Sequence, residues 1–216
     1  MLRTEPYAVQ CARWPKSGKR ILAQYDDETI IVYQAYHPTI GRLAAANGRF
    51  GDNWSRERMS WIKPNFLWMM YRCGWGTKEN QEVVLAIRLT RNGFDTILRE
   101  AVHSSHISEV YGSRADWERA VRHSNVRLQW DPDHHPSGAK LERRAIQLGL
   151  RGRTLERFAD EWIVGIDDIS DFVAEQREIL RREGVGKLDI PREEVYPVED
   201  ERVVAKLGLA AEEEPP

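Results

Sequence analysis

Trp61-Ile-Lys-Pro-Asn-Phe-Leu-Trp-Met-Met-Tyr-Arg-Cys-Gly-Trp75 decides how the rest of the chain is read. Its fifteen residues hold three of the eight tryptophans, with a lysine, a tyrosine and an arginine. Pro64 suits the first turn of a helix, where its missing N–H costs nothing, and Gly74 suits the left-handed residue that ends one. Between them Phe66, Leu67, Met70 and Tyr71 recur at helical spacing, while Trp68 and Arg72 share a different face. Two readings follow. In one the stretch is a central core helix; in the other Lys63, Tyr71 and Arg72 also edge a pocket walled by the aromatics.

Outward from this stretch, Gln81 to Thr90 is the strongest strand signal, and its unbroken Val-Val-Leu-Ala-Ile run suits a strand buried on both faces. Thr29 to Tyr36 is a second β-rich segment, joined to Arg20–Tyr25 through the turn Asp26-Asp27-Glu28. His37-Pro38 opens a helix that Gly48 closes, and Phe50 to Ser60 is a polar loop carrying Trp54, Arg56 and Arg58. Further strands are expected at Val126–Trp130, Arg144–Leu150 and Glu161–Ile166, with helices at Phe94–Val102, after Ser113, and at Ile169–Arg182. Strands and helices mixed without a regular βαβ alternation give an α+β fold. The expectation is one domain at 19–184, its mixed or antiparallel sheet of about five to six strands flanked by helices. Residues 1–18 read as an irregular arm, and 185–216, with four prolines and an acidic end, as a loosely packed tail.

At 216 residues, 41% hydrophobic and 31% charged, the composition is that of an ordinary globular protein. A net charge of −2 gives no reason to expect a polyanion or a membrane as partner. The charge is uneven, however, with Lys140, Arg143, Arg144, Arg151, Arg153 and Arg157 opposed in their stretch only by Glu142 and Glu156. Cys11 and Cys73 form no disulfide framework or metal-spaced set. With no secretory h-region and no apolar run of transmembrane length, a cytoplasmic setting is expected.

Familiar phosphate and hydrolase motifs are missing: no GxGxxG, GxxxxGK[ST], GxSxG or HExxH. His103 and His106 lack a third ligand at matching spacing, so no metal is expected. Lys63 is followed by Pro-Asn-Phe rather than x-Asp-Gly, which argues against a covalent nucleotide acceptor. The end of the 29–36 strand is richer. Tyr33, Ala35 and His37 alternate with Gln34 and Tyr36, placing polar groups among aromatics just before a helix start that could receive an anion. These tyrosines also read as amphipathic core. Glu161, beside Trp162 at the head of an apolar strand, is either a solvated strand end or a working carboxylate; Asp131 is its runner-up.

YDDETIIVYQAY at 25–36, RERMSWIKPNFLWMMYRCGW at 56–75, QEVVLAIRLTRNGF at 81–94 and DEWIVGIDDIS at 160–170 resemble the domain-of-unknown-function family numbered 4291, over about residues 18–185. A weaker similarity is to ADP-ribosyltransferase-like folds, although their His-Gly-Thr and Ser-Thr-Ser signatures are missing. That second resemblance implies a nucleotide-handling enzyme taking NAD or another adenine nucleotide. Glu161, Tyr33 and Tyr71 would be catalytic, with Glu161 on the nicotinamide ribose at an oxocarbenium-like transition state. Arg20, Arg58, Lys63 and Arg72 would take phosphates, and Gln34, Tyr36, His37 and Trp68 would complete the nucleotide site. The alternative is a non-catalytic RNA- or nucleotide-binding module using the basic 140–157 stretch and exposed members of Trp54, Trp61, Trp68 and Trp75. The first of these site assignments requires Tyr33, Lys63, Arg72 and Glu161 to converge on one cavity.

Overall fold

Alternation along the apolar run at 83–90 sorts its side chains into two cores. Val83, Leu85, Ile87 and Leu89 pack on one side and Val84 and Ala86 on the other. A computed structural model, which describes residues 2–209, places this run in the middle of a sheet. In chain order the strands are β1 (Thr4–Pro6), β2 (Leu22–Ala23), β3 (Thr29–Tyr36), β4 (Ser60–Ile62), β5 (Val83–Thr90), β6 (Ala101–His103), β7 (Val126–His134), β8 (Lys140–Leu150), β9 (Ile163–Asp168), β10 (Asp189–Pro191) and β11 (Glu194–Val195). The helices are α1 (Tyr7–Arg13), α2 (Pro38–Asn47), α3 (Phe66–Cys73), α4 (Arg91–Glu100), α5 (Ser108–Tyr111), α6 (Arg114–His123), α7 (Gly152–Arg157), α8 (Ser170–Glu183) and α9 (Glu201–Leu207). The fold is α+β.

β5 runs antiparallel between β3 and β9, and a second sheet has the order β4-β8-β7-β6, with only β6 parallel to its neighbour. The sheets meet where Tyr33 N–H donates to the Lys63 carbonyl at 2.7 Å and Lys63 N–H donates back at 3.2 Å. This exchange, with the restriction that proline places on its predecessor, holds Lys63 extended. Helix α3 therefore starts later than Pro64 suggests. Asn65 is its cap, accepting from Trp68 N–H at 2.7 Å, and Gly74 ends it at φ 59° as expected. Only Tyr71 and Arg72 of α3 are exposed; the rest is core, with fully buried Phe66 lying edge-on to Tyr33 and Trp75.

Both chain ends depart from expectation. The arm at 1–18 forms β1 and α1, and β1 pairs with β10, while β11 pairs with β2. Leu188, Ile190, Tyr196 and Leu207 are buried, so the segment from 185 to 209 is integral to the body. Glu193, fully buried, binds the start of α3 by accepting from Phe66 N–H at 2.6 Å and Asn65 Nδ2 at 3.1 Å. Gln10 and Trp14 of the arm clamp its backbone, each at 2.8 Å. Burial pushes the Glu193 carboxyl well above the usual carboxylate range. These partners are far apart in sequence, beyond the reach of local periodicity. The acidic end expected to fray, 212–216, lies outside the described residues.

Candidate functional site

Where the two sheets meet, a cleft of about 840 Å³ opens. β3 and the start of α2 supply Gln34, Tyr36 and His37; the loop before β4 supplies Asn53, Trp54 and Arg58. Ser60, Trp61 and Lys63 follow from β4 and its exit, Arg72 from α3, and Gln129 and Gln147 from β7 and β8. Among the described lining residues there are three lysine or arginine side chains, Arg58, Lys63 and Arg72, besides His37, and no aspartate or glutamate. The cleft is therefore cationic although the whole chain is slightly acidic.

Lys63 is the least ordinary member. Its side chain belongs to a residue only 4% exposed, and it makes no ion pair among the described residues. Burial, reinforced by the neighbouring Arg72 charge, lowers its ammonium from 10.5 to about 8. Around it the polar groups are tied into a frame. Gln34 Nε2 donates to Ser60 Oγ at 2.7 Å and to the Trp61 carbonyl at 3.1 Å. Tyr36 OH lies 3.1 Å from Ser60 Oγ and accepts from Trp54 Nε1 at 2.9 Å, while the Trp54 ring stacks on Phe50 at 4.3 Å. Across the cleft Gln147 Nε2 donates to Gln129 Oε1 at 2.8 Å and Asp131 Oδ2 at 2.7 Å. Rigid walls of this kind suit ligand binding, because little side-chain freedom remains to be lost.

Six of the residues expected at a site come together here: Gln34, Tyr36, His37, Arg58, Lys63 and Arg72. Five do not. Tyr33 precedes Gln34 by one position, so the strand alternation turns it to the opposite core, where it is fully buried against Phe66. Tyr71 projects from the exposed side of α3 beside a smaller cavity of about 300 Å³, stacked on His134 at 3.5 Å. Trp68 is buried in the same ring stack, 5.2 Å from His134. Arg20 is buried away from the cleft lining. Glu161 is not on a strand at all. The segment Phe158–Trp162 is a π-helical turn, β9 starts only at Ile163, and the exposed Glu161 accepts from Arg157 Nε at 3.0 Å. Trp162, not Glu161, is the inward residue, packed so closely on α4 that a Cβ at Gly93 would stand 2.5 Å from its ring.

The anion site expected at the start of α2 is already filled by the helix itself. His37 Nδ1 accepts from Thr39 N–H at 3.2 Å, and the His37 carbonyl accepts from Ile40 and Gly41, each at 3.0 Å. Pro38 has no N–H to offer. The basic 140–157 stretch is likewise divided between roles. Arg143 is buried on Asp133, Arg151 donates to the carbonyls of Val121 and Ser124, and Arg157 lies over Trp162 at 4.5 Å. Trp54 and Trp68 are buried rather than available for stacking.

Sequence reasoning missed Ser60, Gln129 and Gln147. A signal was present for the glutamines: Gln129 stands between Leu128 and Trp130 and Gln147 between Ile146 and Leu148, and in the antiparallel register they are direct partners. Two amides facing each other across a strand pair mark a polar face inside a sheet.

An α+β domain with a cationic cleft at the junction of two sheets is thus the class that fold and site define. The chain belongs to the family described as Domain of unknown function (DUF4291), whose sequence profile matches residues 20–196. That span takes in the cleft together with β10, Glu193 and β11. No curated protein matches the sequence. Among the described residues no helix is long and apolar enough to cross a membrane, and no group of three or more His, Cys, Asp or Glu could hold a metal ion.

Proposed function

We propose that the cleft binds a nucleotide, with NAD and the adenine nucleotides as its first candidates. The observation that carries this reading is the convergence of Arg58, Lys63 and Arg72 on one cleft whose described lining contains no carboxylate. Guanidinium and ammonium groups are the usual partners of phosphate oxygens, and Arg offers paired donors in a fixed fork. A volume of about 840 Å³ suits a ligand of nucleotide size. Half-buried Trp61 offers a ring face to a base, and the amides of Gln34, Gln129 and Gln147 offer polar contacts to a base edge or sugar.

The support is for binding rather than for glycosyl transfer. Glu161, the carboxylate such a mechanism would place on the ribose, is exposed and engaged by Arg157. Titration calorimetry of the full chain with NAD, ATP and GTP tests the reading. Saturable binding of at least one, weakened roughly tenfold or more by Arg72→Ala through loss of a charged hydrogen bond, is expected. Absence of heat with all three at millimolar ligand overturns it.

A further inference from the structure

Two amides on the cleft wall are fixed end for end by a carboxylate outside its described lining. The second sheet turns Ile62, Leu128, Ile146 and Leu148 into the apolar core. Strand alternation therefore puts Trp61, Gln129 and Gln147 on its other face, which walls the cleft. Both glutamines are half-buried. Gln147 Nε2 lies 2.7 Å from Asp131 Oδ2 and 2.8 Å from Gln129 Oε1. An ionised carboxylate only accepts, so the Gln147 atom facing Asp131 is the amide nitrogen. Its second proton goes to Gln129, whose facing atom is therefore the carbonyl oxygen. What remains for a ligand is an acceptor, Gln147 Oε1, and a donor, Gln129 Nε2. Both are without a partner among the described residues, and neither is sealed from solvent. An aromatic surface adjoins them. The Trp61 indole lies across Gly149, the residue of β8 that follows Gln147 on this face, so closely that a Cβ there would stand 2.9 Å from the ring.

Resting on the nucleotide reading above, we infer that Gln129 and Gln147 read the base of the nucleotide, with Asp131 as the positioning residue that fixes which amide accepts and which donates. An unanchored pair of amides would turn over to suit either pattern. Here the exchange would set an amide oxygen against Asp131. The pair therefore matches one arrangement of donor and acceptor and leaves polar groups unpaired against its reverse. A 6-aminopurine offers an amino donor beside the acceptor N1, whereas a 6-oxopurine offers an acceptor beside the donor N1–H. Turning the base over to restore the match would carry its phosphates away from Arg58, Lys63 and Arg72. The site should therefore separate the two purine classes.

The test is calorimetry of the full chain with ATP and inosine triphosphate, which share sugar and phosphates and reverse donor and acceptor on the base. NAD and its hypoxanthine counterpart make the same comparison. Within a pair that binds, affinities are expected to differ roughly tenfold or more. In Asp131→Asn, whose amide can donate or accept, the glutamines are free to turn and the difference should shrink to within about twofold. Affinities already alike in the wild-type protein overturn the inference, leave the nucleotide reading intact and need no variant to fold. If 2′-deoxy-ATP alone then binds more weakly, the sugar is read instead of the base. A preference that persists in folded Asp131→Asn overturns the role of Asp131, and one that persists in folded Gln147→Leu overturns the assignment to the amide pair. Failure of ATP, NAD and GTP alike to bind overturns the nucleotide reading itself.

Discussion

Lys63→Met should make the protein more stable and impair ligand binding at once. Burial, with the Arg72 charge beside it, lowers the folded-state ammonium from 10.5 to about 8. At about 1.4 kcal/mol per pH unit, holding the charge in the cleft costs roughly 3 kcal/mol. The sign follows from proton binding. Between about 8 and 10.5 the unfolded chain holds the lysine proton and the folded chain does not, so wild-type stability rises with pH across that window. Below it the penalty is present in full. Methionine is of similar length and uncharged, so the variant should gain about 1–3 kcal/mol at pH 7 and almost nothing at pH 10.5. For a chain of this size that corresponds to roughly 3–10 °C in Tm at neutral pH. Urea denaturation of both proteins at pH 7, 8.5 and 10 reads the effect as a change in midpoint at constant m value. Nucleotide affinity should fall in parallel, the signature of a residue kept for function at a cost in stability. A variant less stable than wild type at pH 7, or one retaining the wild-type slope above pH 8, would refute the reasoning.

Other consequences are simpler. Asp133 and Arg143 form a buried pair, with Nε at 2.8 Å and Nη2 at 2.5 Å from Asp133 Oδ2; Arg143 also reaches the Pro15 carbonyl at 2.7 Å. Asp133→Ala strands the guanidinium and should cost about 3–5 kcal/mol in urea denaturation, whereas Asp133→Leu with Arg143→Met should recover most of it. Glu161→Gln breaks only an exposed pair with Arg157 and should change stability by less than about 1 kcal/mol. Because Glu161 does not line the cleft, the same variant should bind nucleotide within about twofold of wild type in calorimetry. Binding should weaken steeply between low and physiological salt if cations carry the phosphates, and a flat salt response would count against them.

Much of the fold was legible where local patterning and core demands agree. β3 falls at Thr29–Tyr36 as its β-rich run suggests, and β5 is buried on both faces because successive residues feed two cores. The left-handed Gly74 closes α3 as expected. Failures occur where a long-range contact decides. The bridge from Tyr33 to Lys63 delays the start of α3, and pairing of β1 with β10 orders a segment that looks irregular alone. Buried Glu193 was invisible for the same reason, since its partners are Gln10, Asn65 and Phe66. At the site, the polar end of β3 and the cations beside α3 were readable from residue type. The faces were not. Tyr33 and Glu161 fell on the wrong side of an alternation and of a strand boundary, each a displacement of one or two residues.

Chemical-shift mapping tests the central claim most directly, because it reports where a nucleotide sits as well as whether it binds. With ATP or NAD added to isotope-labelled protein, the largest shifts should fall on the backbone amides of Gln34, Lys63 and Arg72 and on the indole N–H of Trp61. Amides of Ser137, Gly138 and Leu180 at the smaller cavity, and those of Arg151, Arg153 and Arg157, should stay nearly unmoved. Perturbations centred on either of those regions, or a spectrum unchanged at millimolar nucleotide, would contradict the assignment of the cleft as the binding site.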